Sequence, residues 1–158
     1  MEQNFFEWLQ GTPIAVMVGE SWFPWVESAH VVFLALVFGS ILTVDMRLIG
    51  LASRHLRVSY LAERLLPWTW LGFAGAAITG LLMFSCNAVT YINNTPFLFK
   101  MGLLVAAGLN MLYFQFVTYR RVQDWDTGRP VAAARAAGFL SMLLWTGVVG
   151  FGRWIGFV

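Results

Sequence analysis

Charge is the scarcest commodity in this sequence. Asp, Glu, Lys and Arg make up 11% of its 158 residues, where a soluble domain carries about 25%. With a mean hydropathy of +0.69, that scarcity places the chain in a membrane and leaves no room for a soluble catalytic module. Cysteine is almost missing. Cys86 stands alone, which excludes an intrachain disulfide and any multi-cysteine metal or iron–sulfur site. Lys and Arg are missing from the first 26 residues, and the opening Met1-Glu2-Gln3-Asn4 has no positive n-region. Pro13 and Gly19 interrupt the first strong apolar stretch, so no signal peptide is expected. A basic patch is missing too: net charge is +2 and the arginines lie at segment ends, which argues against nucleic acid as a partner.

Long apolar runs are what remains. About 20 helical residues cross a hydrocarbon core of ~30 Å, and four segments suffice: about 22–44, 66–86, 96–119 and 136–158. Pro24, Pro67 and Pro96 suit opening turns of the first three. Residues 1–21 hold two shorter apolar stretches, expected as interfacial helices on the bilayer. The fold class is therefore all-α: one transmembrane domain over 1–158, a four-helix up-down bundle with short connections and antiparallel neighbours. Arg47, Arg54, Arg57 and Arg64 flank the first connection, and Arg120, Arg121, Arg129 and Arg135 flank the third. The second, Asn87 to Thr95, has no charge. Positive residues stay inside, so the expected setting is the bacterial inner membrane, multi-pass, with both termini outside. Trp22, Trp25, Tyr91 and Trp154 would then mark the outer interface, and Tyr60, Trp68, Trp70, Tyr119 and Trp125 the inner one.

Four ionisable residues interrupt the spans: Glu27 and His30 in the first, Lys100 in the third and Arg153 in the fourth. A charge in hydrocarbon costs roughly 2.5–3.5 kcal/mol even on insertion scales, so such residues pair, face the bundle and mark a site. The topology sets all four in the outer third, with Cys86 and Asn87 closing the second span at the same level. Taken singly, Lys100 and Arg153 read as cations snorkelling to lipid phosphate. His30 lies deepest. Glu27, three residues earlier on the same face, is the expected partner of a proton-carrying or metal-bound imidazole.

The chemistry of that site has several readings. Glu-x-x-His occurs in di-iron bundles, but those need further carboxylates that the spans lack. Haem b with His30 as its protein ligand suits the residues, with Lys100 and Arg153 on the propionates and electron transfer as the function. A quinone pocket suits them as well, with His30 exchanging the proton and Trp22, Phe23, Trp25 and Trp154 as walls. Copper would draw on His30, Met83 and Cys86, although Cys86 alone is more often a small buried apolar residue. A cofactor-free accessory or structural subunit of a membrane complex is the competing view. No reaction is assigned.

Two further expectations concern packing. Asp45-Met46-Arg47 and Glu63-Arg64 suggest an ion-pair network at the inner end, and Asn110 an interhelical hydrogen bond. Gly72, Ala76 and Gly80 on the second span, and Ala35, Gly39 and Thr43 on the first, mark close approaches. At about 100° per residue the latter three lie opposite His30, so one face carries chemistry and the other packs. A homo-oligomer, or a place in a larger complex, follows as an expectation.

Several strings carry a resemblance: Trp25-Val26-Glu27-Ser28-Ala29-His30, Val44-Asp45-Met46-Arg47-Leu48-Ile49-Gly50, Leu66-Pro67-Trp68-Thr69-Trp70, Phe97-Leu98-Phe99-Lys100-Met101 and Gly152-Arg153. Over nearly its whole length the chain resembles a bacterial family of small four-helix membrane proteins of unknown function. In layout it is more distantly similar to HemJ-type protoporphyrinogen oxidases and CopD-like copper-resistance membrane proteins. The HemJ-like pattern implies His30 as a haem b ligand, with Arg47 and Lys100 at the matching arginine and lysine positions.

Overall fold

Caps and breakers divide the chain into helices, and the computed structural model describes residues 2–157 of it. No strand occurs among these residues. The order is α1 (Glu2–Gln10), α2 (Pro13–Met17), α3 (Phe23–Ile49), α4 (Val58–Cys86), α5 (Ala88–Ile92), α6 (Thr95–Tyr113) and α7 (Ala132–Trp154). A π turn over Val18–Trp22 joins α2 to α3, and π and 3-10 turns prolong α6 to Asp124. Four stretches are long and apolar enough to cross a bilayer: Pro13–Ile49, Val58–Cys86, Thr95–Asp124 and Ala132–Phe157. The protein is thus an all-α, multi-pass membrane protein.

Local chemistry accounts for most boundaries. The Asn94 side chain accepts from the Phe97 amide at 3.0 Å, and Pro96 supplies the preset first turn of α6. Gly50, at φ 81°, closes α3. Its amide donates to Arg47 O, and the Leu51 amide donates to Met46 O at 2.9 Å. This is the glycine-dependent Schellman stop. One boundary departs from expectation. α4 begins at Val58 instead of near Leu66, and Pro67 lies inside it. The cause is distant in sequence: the Asp126 carboxylate accepts from the Ser59 amide at 2.8 Å and the Ser59 hydroxyl at 2.6 Å, so it caps α4 from another connection.

The N-terminal segment differs as well. Residues 13–22 run straight into α3 in a 37-residue stretch, about 55 Å long at 1.5 Å per residue. α1 and α2 are fastened to the end of α4. Gln10 Nε2 donates to Cys86 O at 3.2 Å, Cys86 Sγ donates to Ala15 O at 3.2 Å, and Phe6 meets Phe84 edge-on. Phe84, Tyr91 and Phe97 then stack in a triangle that ties α4, α5 and α6 together.

In space the long helices run α4–α3–α7–α6. α4 and α6, consecutive in sequence, are joined at one end by α5, where the Phe84 and Phe97 rings stack at 5.6 Å. The α3–α4 seam is the tightest. A Cβ on Gly72 would lie 2.9 Å from Val37 Cγ2 and 3.1 Å from Phe33 O, and one on Gly75 would meet the Phe33 ring at 2.5 Å. Small residues on α4 therefore allow near backbone contact, as expected of Gly72, Ala76 and Gly80. Ser40 and Thr69 hydroxyls bond across the same seam at 2.8 Å. Val37, Ala107, Trp145 and Val148 form the central core of α3, α6 and α7. Beside it, Asn110 Nδ2 donates to Ala137 O at 3.0 Å, the interhelical bond the sequence implies.

A second core holds Leu48, Val58, Trp125 and Ala134 at the arginine-rich end. Trp125 is thus buried, not an interfacial anchor, because the 125–131 connection folds inward over α4. The ion-pair network is also absent among the described residues. Asp45 and Arg47 are two residues apart, about 200° around α3, and diverge. Asp45 turns toward Ser141 of α7, while Arg47 bonds backbone carbonyls. Arg64 lies over the Tyr60 ring at 5.6 Å.

Candidate functional site

His30 sits on the α3–α4 seam, half-buried, and Gly80 makes its room: a Cβ there would lie 3.1 Å from His30 Cε1. His30 Nδ1 lies 2.9 Å from Thr79 Oγ1. The same hydroxyl donates its single proton to Gly75 O at 2.7 Å. Thr79 then accepts from the ring, which places a proton on Nδ1. A helix seam built from small residues thus orients the imidazole through its Nδ1.

Glu27 does not fill the role expected for it. It is exposed and makes no hydrogen bond to His30; Thr79, on the facing helix, takes that place. The close approach of α4 through Gly72 to Gly80 brings a hydroxyl nearer to the ring than the carboxylate one turn away. Glu27 instead lies within electrostatic reach of Tyr91, whose phenol is pushed above its ordinary value by burial first and by this charge second.

Lys100 does reach the site. It is half-buried, within electrostatic reach of His30, and its side chain lies over Gly152 of α7, where a Cβ would be 3.4 Å from Nζ. The ammonium of the third span, packed on the fourth, thereby lies within electrostatic reach of the imidazole. Arg153, next in sequence, points outward and rests over the Phe157 ring at 5.4 Å.

Three other candidates lie elsewhere. Arg47 is seventeen residues along α3 from His30, about 25 Å at 1.5 Å per residue, so it does not join this site. The Cys86 thiol donates to Ala15 O and Leu82 O, both at 3.2 Å, and packs against Gly19. Met83 is half-buried one turn earlier. Neither Thr79 nor Gly152 has a site role in the sequence reading. The signal for Thr79 was its position inside the small-residue stripe of α4.

No curated protein matches the chain, and no solved structure does. A family model matches residues 5–158, nearly the whole length. An all-helical membrane chain with a histidine held in a glycine-lined seam thus belongs to a family whose description is "Family of unknown function (DUF6644)".

Proposed function

We propose that this protein is a small redox component of the bacterial inner membrane in which His30 is the axial ligand of a haem b. The observation that supports this is the Thr79 bond to Nδ1, which orients the ring and leaves Nε2 as the free ligand atom. Axial histidines are held in this way by a bond to the other ring nitrogen. Lys100 is the residue placed to meet a propionate, and a bound haem would supply one-electron transfer. Purified protein should show a Soret band that disappears in His30→Ala. A preparation that stays colourless after haem reconstitution overturns the reading.

The Lys100 ammonium near His30 favours quinone as a second reading, with Nε2 accepting from one quinol hydroxyl and Nζ donating to the oxygen at the other end of the ring. Quinone extracted with wild-type protein and lost in both His30→Ala and Lys100→Met supports it. Copper has less support, because the Cys86 thiol is turned to Ala15 and Leu82.

The arginine-bearing connections define the cytoplasmic side in this proposal, with both termini outside. A periplasm-dependent reporter fused at the C-terminus should be active. The protein also associates, as a homo-oligomer or within a larger complex, through Ala35, Gly39 and Thr43. All three are exposed on α3, and nothing lies within 4 Å of a Cβ on Gly39. Without a chromophore or quinone, this association would be its main work, as an accessory subunit.

A further inference from the structure

Seventeen residues from His30, the other end of α3 carries a feature that the redox reading leaves unused. A pocket of about 520 Å³ opens between the end of α3, the 51–57 connection and the 125–131 connection. Four arginines line it, Arg47, Arg54, Arg129 and Arg135, and no acidic residue does. Its volume lies in the range of small-molecule sites, about 300–1,000 Å³.

Arg47 gives the pocket its character. It is 1% exposed, the most completely buried large side chain described. Nε donates to Leu56 O at 2.8 Å, and Nη2 donates to Asp126 O and Gly128 O, each at 3.3 Å. Those bonds lock the guanidinium in place but bring no negative charge. The Nη1 hydrogens remain without an acceptor among the described residues. The neighbouring Asp126 carboxylate is committed to Ser59. Arg54 is held by its Nε to Gly50 O, and the first turn of α7, beside Pro130 and Arg135, has no side-chain cap. Orientation in a membrane needs only exposed arginines flanking a span. It does not need one buried and immobilised, nor four converging without a counter-charge. A buried cation without an anion is costly, and planar guanidinium forks match phosphate oxygens.

We propose that this pocket is a binding site for a phosphate-bearing anion, held by Arg47 and Arg135 from the floor and by Arg54 and Arg129 from the rim. The phosphate belongs either to the headgroup of an anionic lipid or to a soluble phosphate ester. This inference does not depend on the His30 reading.

The test compares wild-type protein in detergent with Arg54→Gln/Arg129→Gln and with Arg120→Gln/Arg121→Gln. The second double variant removes two exposed arginines outside the pocket, so the two variants have equal net charge. Native mass spectrometry follows titration with phosphatidylglycerol, and thermal unfolding follows titration with inorganic phosphate and with ATP. Lipid binding weakened roughly tenfold or more in Arg54→Gln/Arg129→Gln, and unchanged in the control, identifies a lipid phosphate. Stabilisation by inorganic phosphate or ATP with the same selectivity identifies a soluble one. Equal losses in both double variants, or no binding by wild type, overturn the proposal. Circular dichroism of each variant separates loss of binding from loss of fold.

Discussion

At the scale of single residues, the His30–Thr79 contact separates an imidazole that merely fills space from one prepared for chemistry. Thr79 accepts from Nδ1 because its own proton is taken by Gly75 O. Thr79→Val keeps the volume and removes the hydroxyl acceptor, so the ring N–H loses its bond to that side chain. Interhelical hydrogen bonds in membranes are worth about 0.6 kcal/mol on average and up to about 1.7. The loss in Thr79→Val should fall in that range by denaturant titration in detergent, and Thr79→Ser should restore it. Equal stability of the valine variant and wild type would remove the basis for the tautomer assignment. Any haem or quinone bound at His30 should also be depleted in Thr79→Val, whereas Glu27→Gln should retain it, because Glu27 is exposed and makes no bond to the ring.

At the scale of elements, α4 shows why a helix boundary can be invisible locally. Nothing in Arg57-Val58-Ser59 announces a cap, whereas Pro67 looks like an opening turn. The cap is the Asp126 side chain, 67 residues away in sequence. Partial burial pushes the Asp126 carboxyl up, but the bonds from the Ser59 hydroxyl and amide, with the Arg57 charge and the Val58 amide, outweigh it. The carboxyl is held below its ordinary value. A depressed carboxyl stabilises the fold above its unfolded value of about 3.9, and that contribution disappears as pH falls through the folded value. Asp126→Asn should therefore flatten the acid limb of stability below about pH 4. Asp126→Ala should cost about 0.5–2 kcal/mol at neutral pH, the usual effect of losing a cap. Thermal unfolding across pH 3–7 checks both, and an unchanged acid limb in Asp126→Asn refutes the cap's role. The seam makes an independent prediction. Gly72→Ala places a methyl 3.1–3.2 Å from α3 backbone atoms and should destabilise by about 1–3 kcal/mol, as overpacking does. Gly39→Ala meets nothing within 4 Å and should leave the isolated chain unchanged.

On the scale of the molecule, hydropathy and the arginine distribution made the four spans legible, since membrane insertion depends on those two quantities. The relative tightness of the interfaces did not follow from them. Short connections suggested that consecutive spans would be neighbours, and α3 with α4 and α6 with α7 pack most closely, while α4 and α6 touch chiefly at the end that α5 joins. Side-chain size was the informative signal: Gly72, Ala76 and Gly80 marked one seam, while Ala35, Gly39 and Thr43 marked a surface. That surface is smooth as well as small. The Thr43 hydroxyl donates back to Gly39 O at 2.8 Å, so no polar group protrudes. Toward the His30 end the same helix exposes Val31 and Val32, side chains ordinarily found against lipid. Small residues gain little from lipid tails but permit another helix to approach closely, which is where packing energy in membranes is found. Gly39→Leu should therefore spare the chain's own fold yet abolish the association proposed for this face. In a Cys86→Ser background, Gly39→Cys should form disulfide-linked dimers in native membranes under mild oxidation, and Leu109→Cys, exposed on α6, should not. If the Gly39→Cys protein stays uncrosslinked and wild type sediments as a 17.8 kDa species, self-association through this face is refuted. Crosslinking of Gly39→Cys to a different protein would instead identify the face as the contact with a complex partner.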